Sequence, residues 1–233
     1  MVTGSYHPKA ETLERLKQVD FVAVVGPTAA GKTVTIKEAI ERWPQIHMVR
    51  NTTSRPPRRG EQDGVDYYFR TQADMEARVA AGEYVQVAPN LFGYLYATEP
   101  EGYSTEGVAA LAVLAEAVPT FRGLPFKSMK TIFMIPPSWD IWQQRLKSHS
   151  FTLDQLKGRI HEAVDSLAFG ARDTETLFLI NDSVELAAED FATLALGKPM
   201  SERLRGDQDR AREIVRSLLG RFETETLKSE SEV

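Results

Sequence analysis

At 233 residues, 42% of them hydrophobic and 26% charged, the chain is long enough to bury a sizeable core, either as one domain with insertions or as two small ones. A balance of 28 Lys+Arg against 33 Asp+Glu, formal charge -5, excludes a global positive field that would gather nucleic acid or anionic lipid, so any anion must be caught locally. The absence of cysteine excludes disulfides, thiolate metal sites and cysteine nucleophiles, and the four histidines, His7, His47, His149 and His161, show no ligand spacing.

The first residues carry no apolar stretch of the kind a signal peptide needs, and no run approaches the length of a membrane span, so the expectation is a cytoplasmic protein. A polar leader, residues 1–19, reads as helical over residues 9–18. "DFVAVVG" is a short β-branched run stopped by glycine, a buried strand. "GKTVTIKEAIERW" then changes to helical spacing, and strand, glycine loop, helix opens an α/β fold. "HMVRNTTS" reads as a second strand. "QADMEARVAAGEYVQV" reads as a helix ended by Gly82 that runs into a strand. "EGVAALAVLAEAV" is helix-prone, with a core element of either type left open. "KTIFMIPP" is a central strand closed by Pro136 and Pro137, "SWDIWQQRLKSHSFTLDQLKGRIHEAVDSLAFG" two helices around a polar turn, and "TLFLIND" the last strand, covered by the helix "SVELAAEDFATLAL". From Gly197 the composition becomes charged, and "SERLRGDQDRAREIVRSLLGRF" is an amphipathic helix with Ile214, Val215, Leu218 and Leu219 on one side, followed by a tail expected to fray.

Gly26-Pro27-Thr28-Ala29-Ala30-Gly31-Lys32-Thr33 satisfies G-x-x-x-x-G-K-[ST] between a strand and a helix. In that context backbone N–H groups and the positive end of the helix dipole converge on one place, a phosphate site. Lys32 would reach the β- and γ-phosphates of ATP, and the Thr33 hydroxyl would join the shell of a Mg²⁺ ion. The bland alternative is a glycine turn followed by a helix-starting lysine. "NTTSRPPRRGEQDGVDYYF" then sets Arg55, Arg58 and Arg59 around two prolines in an acidic chain. Arginine forks bind phosphate bidentately, whereas an isolated charge cluster is usually a solvated loop.

Together these motifs resemble the guanylate kinase family, whose members carry T-T-R-P-P-R-x-G-E-x-x-G-x-D-Y-x-F about twenty residues after a G-P-S-G-x-G-K-[ST] loop. Here the stretch reads Thr53-Ser54-Arg55-Pro56-Pro57-Arg58-Arg59-Gly60-Glu61, then Gly64-Val65-Asp66-Tyr67-Tyr68-Phe69. Looser similarity runs from about residue 20 to residue 196, through "AAGEYVQVA", "YLYAT", "IFMIPPS" and "LINDS". The resemblance implies an α/β fold with a P-loop NTPase-type parallel sheet flanked by helices, over residues 20–197. It also implies an inserted nucleotide-monophosphate-binding subdomain (about residues 50–98) and a small lid (about residues 147–159), with residues 198–233 as a C-terminal helix and tail. Arg55, Arg58, Tyr67 and Tyr96 match residues that hold the acceptor phosphate, and Thr98 a hydroxyl directed at the base. Arg145 and Arg159 match lid-side arginines that neutralise the transferred phosphoryl, and Asn181 an adenine-side contact. The implied partners are nucleotides, with ATP as co-substrate, Mg²⁺ as cofactor, no nucleic acid or membrane, and a monomer or homodimer.

Three departures from the pattern stand out. The family's base-reading Glu in G-E-F-x-E is Gln86, an amide that offers one acceptor and one donor where a carboxylate accepts twice. The family's L-D-I-D strand is replaced by "AVPTFRGLPFKSMK", and no Asp occurs between Asp74 and Asp140. The lid's G-R-G-T becomes Ser148-His149-Ser150-Phe151. The expectation is a nucleoside monophosphate kinase for GMP, dGMP or a related monophosphate. The alternative is a nucleotide- or phosphate-binding regulatory module with weak or no catalysis.

Overall fold

A computed structural model describes residues 6–58, 60–89, 93–148 and 151–231, with residues 223–231 as backbone. Arg59, and His149 and Ser150 of the expected lid, lie outside the described residues. The strands are β1 (Asp20–Val25), β2 (Ile46–Met48), β3 (Asn51–Thr53), β4 (Tyr68–Phe69), β5 (Gln86–Pro89), β6 (Leu95–Thr98), β7 (Val108–Ala112), β8 (Ser128–Ile135) and β9 (Leu177–Ile180). The helices are α1 (Ala10–Leu16), α2 (Lys32–Arg42), α3 (Gln72–Ala80), α4 (Val118–Arg122), α5 (Trp139–Lys147), α6 (Leu153–Arg172), α7 (Val184–Ala195) and α8 (Glu202–Ser231). Five strands form a mostly parallel sheet in the order β2-β7-β1-β8-β9, and four form a second sheet in the order β4-β3-β6-β5. The chain divides into two compact units, one of Met1–Phe21, His47–Leu111 and Pro119–Met129, the other of Val22–Ile46, Ala112–Val118 and Lys130–Val233.

The second unit carries the expected strand, loop and helix. Residues 22–25 of β1 and 132–135 of β8 are buried without alternation, as strands covered on both faces must be. β8 and β9 run parallel with Ile132 opposite Leu177 and Ile135 opposite Ile180. Ile36 and Ala39 of α2 and Ala188, Phe191 and Ala192 of α7 are buried. Serine or threonine side chains cap α5, α6 and α7 at Ser138, Thr152 and Ser183, each accepting a backbone N–H in the first turn. α8 continues as backbone helix to Ser231, past the point where fraying was expected, and buries Leu204, Ala211, Val215, Leu218 and Phe222.

In the first unit, α1 is docked on the core rather than loose. Arg15 donates to the carbonyls of Pro100 (2.9 Å) and Tyr103 (3.0 Å), and the Tyr6 hydroxyl donates to Tyr84 O (2.6 Å) and accepts from Tyr84 N (2.7 Å). Phe21, Tyr103, Phe121 and Phe126 pack ring against ring. A smaller core of Met75, Tyr84, Leu95 and Ala97 lies between α3 and the four-stranded sheet, with Val79 and Val87 against it.

One sequence reading left open is decided here and one is corrected. The helix-prone run after Gly107 is strand β7, because four consecutive buried residues, Val108 to Leu111, leave no polar face for a helix to turn to solvent. "HMVRNTTS" is two strands in two different sheets. Val49 N bonds Ala110 O (2.8 Å), and β3 then pairs antiparallel with β6 and parallel with β4.

Candidate active site

The loop from Gly26 to Thr33 joins β1 to α2 and is shaped by residues that accept positive φ. A Cβ on Gly26 (φ 140°) would stand 2.1 Å from Met134 O, and one on Gly31 (φ 92°) 2.2 Å from Asn181 Nδ2, so both positions require glycine. Gly31 is also the N-cap of α2. It contributes no side-chain cap, and no acidic residue follows in the first turn. The first N–H groups of α2 and the helix dipole are therefore left to an external anion. Thr33 exposes its side chain in that first turn. Pro27 and Thr28 complete the loop, Ala30 is buried with its N–H on Pro27 O (3.2 Å), and the Ala30 carbonyl accepts from Asn181 Nδ2 (2.7 Å).

Lys32 folds back over this loop, its Nζ donating to Gly26 O (2.6 Å) and Pro27 O (3.0 Å). Burial pushes its pKa down to about 8, with Glu162 of α6 pulling it up and Arg159 pushing it further down. Arg159 pairs with Glu162 at 2.6 Å. A phosphate placed on Lys32 restores the preference for the ammonium. ATP binding between about pH 8 and 10 is therefore expected to take up a proton, because the free lysine has lost its proton there and the bound one has not. Calorimetry in buffers of different ionisation enthalpy measures this uptake, which should vanish below pH 7. Arg145 donates to Asn181 O (3.0 Å) and Asp182 O (3.3 Å) at the end of β9, and its Nη1 is buried without a partner among the described residues. Burial lowers its pKa.

The first unit carries the second constellation, on the four-stranded sheet. Arg55 is 7% exposed, and its Nε donates to the Tyr96 hydroxyl (3.1 Å). Its two terminal nitrogens grip Glu61 (2.9 Å each), and Nη1 also reaches Pro56 O (2.7 Å). Burial alone would push the guanidinium down, but the bonds to Glu61 and Tyr96 outweigh it and hold the charge firmly. The Tyr67 ring lies 5.3 Å from the Arg55 guanidinium and edge-on to Tyr96 at 6.3 Å. Burial raises its pKa, so it stays a neutral donor. Arg58 exposes its side chain, and its N–H donates to Glu61 (2.7 Å). Glu61 thus ties the loop ends together and orients Arg55, a role the sequence reading did not assign. Tyr68 belongs to the packing, with Arg50 on its hydroxyl at 3.3 Å.

Cross-strand register sets the other face-mates. Thr53 stands opposite Tyr96 and Asn51 opposite Thr98, and Thr98 in turn stands opposite Gln86. Directly opposed residues share a face, so Asn51 and Gln86 lie on the face that carries Tyr96. Asn51 was missed because nothing local marks it; only the period of two counted back from Thr53 would have put it on this face. Thr98, between Asn51 and Gln86 on the same face, is fully buried and its hydroxyl shares a 2.9 Å hydrogen bond with Tyr103. Asn181 is 1% exposed and its Nδ2 donates to Ala30 O, which braces the phosphate loop.

A G-x-x-x-x-G-K-T loop at an uncapped helix N-terminus beside a mostly parallel sheet defines a P-loop nucleotide-binding protein of the α/β class. A family model described as Guanylate kinase matches residues 18–195. The guanylate kinase of Nocardia farcinica is 30% identical over 187 residues, covering 78% of this chain and 96% of that protein. The guanylate kinase of Sus scrofa is 30% identical over 194 residues, covering 80% and 94%. The crystal structure of guanylate kinase from Anaplasma phagocytophilum shares the fold, with a TM-score of 0.55 at 21% identity over 82% of this chain and 86% of that one. The chain belongs to the guanylate kinase family.

Proposed function

We propose that this protein transfers the γ-phosphoryl group of ATP to GMP or a closely related monophosphate. The observation that carries the reading is the intact phosphate loop: an uncapped, acid-free start of α2 with Lys32 Nζ lying on the loop's own carbonyls. A module that only bound partners would have no use for a lysine held there. Loop N–H groups and Lys32 hold the ATP phosphates. Arg55, Arg58, Tyr67 and Tyr96 hold the acceptor phosphate, whose oxygen attacks the γ-phosphorus as the bond to ADP breaks. Lys32, Arg145 and Arg159 supply positive charge to the transferring group, which is most of what such a reaction asks of side chains.

Among the described residues no group of three His, Cys, Asp or Glu could hold a metal. The exposed Thr33 hydroxyl beside the loop fits a Mg²⁺ ion that keeps water and phosphate oxygens as its other ligands. When bound, that ion supplies charge neutralisation between the transferring phosphates.

Gln86 and Asn51 face the base in this reading. An amide in place of a carboxylate leaves one of guanine's two donors poorly matched, at about 1–3 kcal/mol. Gln86→Glu is therefore expected to raise the preference for GMP over IMP by roughly 5- to 100-fold. Initial rates of ADP formation across GMP, dGMP, IMP and AMP test both points. Acceptor-dependent ADP with GMP supports the assignment, turnover with none of them refutes it, and an unchanged GMP/IMP ratio in the variant removes Gln86 from the base site.

A further inference from the structure

The family match ends at residue 195, yet the chain continues into α8, and α8 reaches the phosphate loop through two aromatic side chains. α8 is seated firmly on the second unit. Gln208 accepts from Phe178 N (2.7 Å) and donates to Phe178 O (2.8 Å), filling the hydrogen bonds of a strand at the sheet's edge. Arg203 pairs with Asp190 of α7, and Arg212 lies 4.4 Å over the Phe178 ring. About three turns further along, Phe222 sets its ring edge-on to Trp139 (5.0 Å, 75°) and Trp142 (5.3 Å, 77°) of α5. All three are at least nine-tenths buried. Trp142 Nε1 then donates to Thr28 O at 2.9 Å, inside the phosphate loop.

That bond acts on the part of the loop least able to hold itself. Ala29 is the non-glycine residue with positive φ (60°) among those described, a conformation that needs outside support. The peptide that precedes it is clamped at Thr28 O by Trp142, and the Ala30–Gly31 peptide one residue further on is clamped at Ala30 O by Asn181. In a planar trans peptide the carbonyl and the following N–H point in opposite directions. Holding the two oxygens toward Trp142 and Asn181 therefore turns the N–H groups of Ala29 and Gly31 away from them, as a phosphate nest requires.

We propose that Trp142, held in place by Phe222 of the C-terminal helix, is a positioning residue for ATP, aiming the Ala29 N–H at the nucleotide phosphates. The inference rests on the kinase reading of the phosphate loop. It makes α8 a working part of the ATP site rather than only a cover for the sheet edge.

The test is calorimetric binding of MgATP and, separately, GMP to the full-length protein and its variants. Trp142→Phe keeps an aromatic ring under Phe222 and removes the donor together with the smaller ring of the indole. It should weaken MgATP binding about fivefold, the worth of one neutral hydrogen bond, and leave GMP binding within about twofold. Phe222→Ala should shift MgATP in the same direction, Phe222→Leu should recover part of the loss, and the double variant should fall short of the product of the two single effects because both act through one side chain. MgATP binding to Trp142→Phe as tight as wild type, or an equal loss of MgATP and GMP binding, would overturn the proposal while the kinase reading stood. Wild-type protein that failed to bind MgATP would bring down both.

Discussion

Replacing Lys32 with methionine is expected to lower kcat by about 10²–10³-fold, the usual cost of removing a preorganised charge from a transition state, while the melting temperature at pH 7 holds or rises. The opposite signs follow from where the lysine sits. Burial brings its pKa down to about 8 from an ordinary 10.5, so at neutral pH the free enzyme carries an ammonium in a place that disfavours it. The sign is fixed by linkage. A folded-state pKa below the unfolded one makes this group's contribution most favourable above pH 10.5, and that contribution is lost as pH falls through 8. Methionine removes the penalty, although it leaves Gly26 O and Pro27 O without the Nζ donor. The charge is therefore maintained at some expense to the fold and is used when phosphate arrives. Single-turnover rates and thermal denaturation on the same preparation check both halves. A variant within tenfold of wild type in kcat would place the transfer elsewhere.

Arg55→Lys is the second large effect. A lysine keeps the charge but cannot grip Glu61 with two nitrogens while bonding Tyr96 with a third. Two or more charge-assisted bonds are lost in a site that is 7% exposed, so KM for GMP is expected to rise by at least about 10²-fold. KM for ATP should stay within about threefold, since the proposed role of the arginine is toward the acceptor alone. Steady-state kinetics with each substrate varied separates the two constants. Tyr96→Phe removes only the partner of Nε and should show a smaller rise of about 3- to 10-fold. Equal changes in both KM values would mean that Arg55 supports the fold of its unit and does not touch the acceptor.

What was legible in the sequence was chiefly what glycine and charge spell out locally. Gly26 and Gly31 stand where a Cβ would collide with Met134 O and Asn181 Nδ2, so the phosphate loop carries its geometry in its spelling. The "KTIFMIPP" and "TLFLIND" strands were clear because buried β-branched and aromatic runs bounded by turn residues have few other fates. The run Val108 to Ala112 was not clear, because alanine and valine buried on every side fit helix or strand equally well until neighbours are in place. Side-chain roles were harder still. Thr98 and Asn181 match the family's positions, but their hydrogen bonds to Tyr103 and Ala30 depend on contacts 5 and 151 residues away. Asn51 and Glu61 became visible through strand register and the Arg55 fork. Trp142 spans 114 residues to reach Thr28, a separation no local pattern records.

The most direct test of the central claim is a ³¹P NMR time course of the wild-type protein with MgATP and GMP. GDP and ADP should appear in equal amounts, both should depend on GMP, and Lys32→Met should produce neither on the same timescale. ADP accumulating with free phosphate and no GDP, or no change in ATP at all, would contradict that claim.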